Sequence, residues 1–104
     1  MKYLCVLSTI PDIKKARKLA GLLVSKRLAA CVQILPGLES HYRWRGKKET
    51  SKEVLLIIKT KSSIYKKLEA AILKNHPYEV PEIVCLPITK GGKSYLDWIA
   101  EEVI

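Results

Sequence analysis

The densest collection of reactive side chains lies in one stretch of seven residues, His76-Pro77-Tyr78-Glu79-Val80-Pro81-Glu82, where two prolines stiffen a run holding an imidazole, a phenol and two carboxylates. Imidazole is the commonest metal ligand, and proline fixes the backbone that would aim it. His76 is therefore a candidate ligand. Its plainer role, and the one the residues alone favour, is to satisfy backbone groups at the end of a helix. Trp44, Lys59, Tyr78 and Glu79 form the mixture of aromatic and polar groups that lines small-molecule pockets. A cleft between subunits that collects them is a candidate ligand site, with Lys59 placed near Glu79 or Glu82 as an ion pair. His41 alternates with arginines and is expected to be merely exposed. No nucleophile elbow, phosphate-cradling glycine loop or metalloprotease helix occurs, so no catalytic residues are expected.

The three cysteines, Cys5, Cys31 and Cys85, stand far apart with no Cys-x-x-Cys pair. Neither a zinc knuckle nor a dithiol redox motif is spelled out. Each sits among aliphatic residues, where a free thiol behaves as a small hydrophobe and burial is expected.

The elements that must position these groups can be read from periodicity. Residues 3–9 are short and largely aliphatic, ending at Ile10-Pro11-Asp12, and predict a strand. Ile13, Ala16, Ala20, Leu23, Val24 and Leu28 recur at helical spacing, and Pro11 with Asp12 supplies a helix start, so a helix is expected over 12–27. Gly21 within it implies close packing against a sheet. Residues 31–35 read as a second strand bent at Pro36-Gly37. From Leu38 the chain alternates, Leu38, Ser40, Tyr42 and Trp44 against Glu39, His41, Arg43 and Arg45, as a strand with one wet face does. Gly46-Lys47-Lys48 reads as a turn and 51–60 as the return strand, which makes 31–60 a long hairpin. Ser62 or Ser63 can cap a second helix that must stop near Asn75, because His76 precedes a proline. Ile83 to Ile88 predicts a fourth strand, placed at an edge by Pro87. A last helix from Ser94 carries Tyr95, Leu96, Ile99 and Val103 on one side. The order is β-α-β-β-α-β plus a terminal helix: an α+β, ferredoxin-like antiparallel sheet with both main helices on one face, in a single domain spanning 1–104.

Such a sheet should be polar on the face its helices leave open. Here both parities are greasy: Val54, Leu56 and Ile58 against Leu55 and Ile57, Leu4 and Val6 against Cys5 and Leu7, Ile83 and Cys85 against Val84 and Leu86. About half a dozen apolar side chains would stay wet, forgoing roughly 10 kcal/mol at ~1.5–3 kcal/mol each. Self-association into a closed ring is the expected remedy.

The formal net charge of +9 is spread along the whole chain rather than gathered in a stripe. A solvated basic surface is expected, with no nucleic acid as partner. The strand that would carry the stacking aromatics of an RNA-recognition module, Glu53 to Thr60, has none, and Ser8-Thr9-Ile10-Pro11-Asp12 lacks the glycine and arginine of an acylphosphatase-type anion loop. No run approaches the ~20 apolar residues of a membrane span and no secretory signal is evident, so a cytoplasmic protein is expected.

Several blocks together resemble the CutA family of divalent-cation tolerance proteins along almost the full chain: STIPD at 8–12, KRLAACVQILPGLES at 26–40, Tyr42-x-Trp44-x-Gly46-Lys47, EVLLIIKT at 53–60, HPYEVPEIVCLPI at 76–88 and YLDWI at 95–99. The resemblance implies a ferredoxin-like homotrimer, akin in architecture to PII-type signalling proteins. It also implies a non-catalytic role in tolerance of divalent metal, copper above all, with His76 and Cys31 or Cys85 as ligands. Some members carry a cysteine where this chain has Ser8 and a second histidine where it has Asn75. Those departures leave copper or another divalent cation as a weak or shared ligand rather than an obligatory cofactor. A PII-like small-molecule sensor and a scaffold for a protein partner are the competing functions.

Overall fold

The computed structural model describes residues 2–104. Strand β1 (Tyr3–Ile10) leads into helix α1 (Ile13–Ser25); β2 (Cys31–Trp44) and β3 (Lys47–Lys61) form the hairpin; helix α2 (Tyr65–Asn75), strand β4 (Val84–Pro87) and helix α3 (Lys93–Glu102) follow. The four strands make one sheet in the order β2-β3-β1-β4, every neighbouring pair antiparallel. This is the predicted split βαβ topology, and the short β4 lies at an edge with Pro87 as its last residue, where a missing N–H costs the ladder least.

Asp12 starts α1 as its N-cap, its side chain accepting from the Lys15 N–H at 2.8 Å. Pro11 stands just before the cap rather than inside the first turn. The helix presents Ala16, Leu19, Ala20 and Leu23 to the core. Val24 is exposed, and Gly21 faces outward, with open space where a Cβ would be. The close packing expected at Gly21 is therefore absent. The helix ends in a Schellman motif, Leu28 N–H to Leu23 C=O and Arg27 N–H to Val24 C=O at 3.0 Å each, with Arg27 in the left-handed region at φ +57°. Its guanidinium spans to the C-terminal carbonyls of α3, donating to Glu101 and Glu102 at 2.9 Å each.

A bulge between Leu35 and Leu38 bends β2 where Pro36-Gly37 was expected to, Gly37 taking φ +90°. The hairpin closes earlier than expected. Trp44 pairs with Lys47 across a two-residue turn, Arg45 at φ +50° and Gly46 at φ +81°. Two successive positive φ values match the right-handed twist of the strands, so pairing continues into Lys47 and Lys48 instead of looping there. Ser62–Ile64 forms a single 3-10 turn and α2 begins without a side-chain cap. His76 takes extended φ −94°, ψ 137°, as a residue before proline should.

The core lies between the helices and one sheet face. Val6, Leu56, Ile58, Leu23, Leu68, Ile72 and Ile99 are fully buried there. The opposite face is fixed by register: Cys5 and Cys31 flank Lys59, Leu7 and Gln33 flank Ile57, Thr9 and Leu35 flank Leu55, and β4 adds Val84 and Leu86. Leu35, Val84 and Leu86 are 52%, 43% and 46% exposed. The greasy second face anticipated from the strands is present, and no helix among the described residues seals it. Cys5 and Cys31 are half-buried; Cys85 is exposed on β4, contrary to the expected burial of all three.

Candidate functional site

Row by row along the open face, Glu53 continues the line Lys59, Ile57, Leu55 on β3. The segment after α2 comes over this end of the sheet. His76 fastens it: Nε2–H donates to the Thr9 carbonyl at 2.7 Å, and Nδ1 accepts the Tyr78 N–H at 3.1 Å. These partners fix the neutral Nε2–H tautomer and the ring's direction. Tyr78, tilted against the His76 ring, extends its hydroxyl to Glu53 Oε2 at 2.8 Å. Burial first, and the hydrogen bond to Glu53 second, push the Tyr78 phenol far above its ordinary range, so it stays protonated and donates. Glu53 itself is only 8% exposed.

Tyr42 and Trp44, on the face of β2 shared with Glu53, form the opposite wall. Tyr42 is held by the Ser51 hydroxyl at 3.3 Å. Arg45 at the turn reaches back to Glu79 at 3.0 Å and lies over the Trp44 ring. Between hairpin and loop opens a cleft of about 770 Å³ bordered by Tyr42, Trp44, Glu53, Tyr78, Glu79 and Glu82.

Of the expected ligand-pocket residues, Trp44, Tyr78 and Glu79 meet in this cleft within one subunit. Lys59 does not join them. It stands six residues along β3 from Glu53, roughly 20 Å at strand rise, and donates instead to Gln33 Oε1 at 3.0 Å with its ammonium 5.9 Å from the Tyr95 ring centre. The ion pair expected with Glu79 or Glu82 is absent because strand length separates them; Arg45 serves Glu79. Glu53 went unnoticed in the sequence as a site residue. The signal for it was parity: a carboxylate in the same alternating row as Leu55 and Ile57.

The expected metal ligands are not brought together. His76 spends both nitrogens on the backbone. Cys31 shares its cross-strand row with Cys5 on β1, four residues, or roughly 13 Å, from the Thr9 carbonyl that His76 holds. No group of three or more His, Cys, Asp or Glu converges as ion ligands among the described residues. Ser8 is fully buried on the helix side, its hydroxyl without a partner. The donors among the described residues do not assemble into a copper site.

The family model for the CutA1 divalent ion tolerance protein matches residues 4–102. The chain belongs to the CutA1 divalent ion tolerance family. It is 50% identical to the divalent-cation tolerance protein CutA of Thermus thermophilus over 96 residues, 92% of this chain and 93% of that protein. It is 44% identical to human protein CutA over 89% of this chain, and spans about half the length of that protein (52%) and of the chloroplastic CutA of Arabidopsis thaliana (50%). Solved CutA1 structures superpose closely: that from Thermus thermophilus with TM-score 0.95, 48% identity and 97% and 98% of the two chains covered, and that from Oryza sativa with TM-score 0.96, 42% identity and 100% and 95% covered. The relatives from Thermus thermophilus and Pectobacterium atrosepticum are named divalent-cation tolerance proteins. Compartments differ among the relatives, one plant relative being chloroplastic and one structure, from Archaeoglobus fulgidus, periplasmic. No helix among the described residues is long and apolar enough to cross a membrane.

Proposed function

We propose that this CutA1-family chain works as a homotrimer that contributes to divalent-metal tolerance by binding, without catalysing a reaction. The observation that carries the assembly is the uncovered apolar face of Cys5, Leu7, Leu35, Leu55, Ile57, Val84 and Leu86, which a soluble single subunit would leave wet. Copies that shelter it bring Cys5 and Cys31 to the boundary between subunits, and thiolates suit univalent copper. Copper binding is then weak and shared between copies, with Cys31 as a donor and His76 in a purely structural role. The cytoplasm, whose reducing conditions keep thiols free, suits the three unpaired cysteines.

Calorimetric titration of the assembled protein with copper under reducing conditions tests the metal role. Cys31→Ser should weaken the isotherm several-fold, and His76→Ala should leave it unchanged. A strong dependence on His76 with none on Cys31 would reverse the assignment.

A second function is favoured by one feature, the aromatic and acidic cleft at the margin of the same face. It supports a small-molecule sensor in which ligand binding at the subunit boundary is passed on through the assembly. A thermal-shift screen of small metabolites on metal-free protein addresses it, with a raised Tm expected for at least one compound.

A further inference from the structure

Glu53 borders the cleft from the sheet. It is nine-tenths buried, it accepts a hydrogen bond from the Tyr78 hydroxyl at Oε2, and no hydrogen bond reaches Oε1. No lysine or arginine nitrogen among the described residues lies within 4.0 Å of it. Its Oε1 is not sealed from solvent and meets the cleft. The chain carries 19 lysines and arginines against 10 acids, so a partner would have been easy to supply. Three of those ten acids, Glu53, Glu79 and Glu82, border one cleft, which Arg43 and His41 also line. The nearby arginines are turned to other uses, Arg45 to Glu79 and Arg43 to the Gly46 carbonyl at 3.0 Å.

We infer that the cleft between the hairpin and the segment after α2 binds a small organic ammonium ion, whose charge completes the coordination of Glu53 and whose alkyl groups lie against Tyr42, Trp44 and Tyr78. Aromatic faces carry negative quadrupole density and attract such cations, most strongly where the cation is desolvated. The cleft has the volume of a small-ligand site, about 770 Å³. A bare divalent ion fits it poorly, because hard cations take six or more converging oxygens and no three candidate ligands converge among the described residues. An anion would meet three acids against the single arginine that lines the cleft. The inference rests on the small-molecule function proposed above and names the ligand's chemical class.

The test is calorimetry of the assembled, metal-free protein with three probes: choline, its uncharged isostere in which tert-butyl replaces trimethylammonium, and acetate. Choline should bind saturably and the other two should not. Glu53→Gln, which keeps an acceptor for Tyr78, should weaken choline about tenfold, the loss of one charge-assisted contact. Trp44→Leu, at an exposed position near the hairpin turn, should weaken it several-fold and serves as the probe variant should Glu53→Gln fail to fold by circular dichroism. Equal binding of choline and its uncharged isostere, or binding of acetate alone, overturns the ammonium class while leaving a ligand cleft in place. No heat from any probe overturns the ammonium inference, and silence in the metabolite screen as well removes the sensor function; a side chain from a neighbouring copy then closes the cleft against Glu53.

Discussion

Two side chains set how the loop after α2 sits on the sheet. His76 holds it through the backbone and Tyr78 through Glu53, so each behaves as a fastener with a defined chemical form. The Tyr78 phenol is held well above its ordinary value of 10.0 in the folded chain. Because the neutral phenol is the form that folding favours, its contribution is complete below pH 10 and is lost as pH climbs beyond. Tyr78→Phe should therefore lower Tm at neutral pH and flatten the decline of Tm on the alkaline side, a comparison made by calorimetric scans of both proteins from neutral to strongly alkaline buffer. Some decline should persist in the variant, since the Tyr65 phenol is also raised, by burial and then by its hydrogen bond to Glu69. Ser8 shows the opposite economy. Its fully buried hydroxyl has no partner, so Ser8→Ala should stabilise the protein by about 1 kcal/mol, the desolvation of one orphaned hydroxyl. Urea denaturation at fixed protein concentration reads that gain.

At the scale of elements, α1 carries an avoidable weakness. Gly21 sits on its solvent side with nothing near a would-be Cβ. Gly21→Ala should stabilise by about 0.5–1 kcal/mol, again by denaturation, because only the helix's own conformational entropy is at stake. The sequence invited a different expectation there, since a helical glycine is often a contact point, and periodicity cannot tell an exposed gap from a packed one. The positions of the strands along the chain, the hairpin bend and the end of α2 were legible because each is written in local chemistry: alternation, Pro36-Gly37, and a residue before proline. The hairpin's turn was placed late because Arg45 occupies a left-handed position where glycine or asparagine is the usual sign. The site was half legible. Trp44, Tyr78 and Glu79 do gather, yet Lys59 and Cys31 lie far along the strands from His76, and such distances appear only once register is known. Glu53 became visible as a site residue for the same reason.

The whole molecule is explained by a sheet with helices on one side only. Its core is complete on the helix face, while the other face keeps an apolar strip that a neighbouring copy can cover and a projecting hairpin that lengthens the subunit to 44 Å against 25 and 23 Å. A charge on that strip would be harmless to a lone subunit and costly in an interface. Leu35→Lys, at a position 52% exposed in the subunit, should accordingly leave circular dichroism intact and break the assembly. The most direct measurement is light scattering coupled to size exclusion at micromolar concentration. The account predicts a single species of three times the subunit's 11.8 kDa for the wild-type chain, falling to one subunit in Leu35→Lys. A well-folded wild-type monomer at that concentration would contradict it.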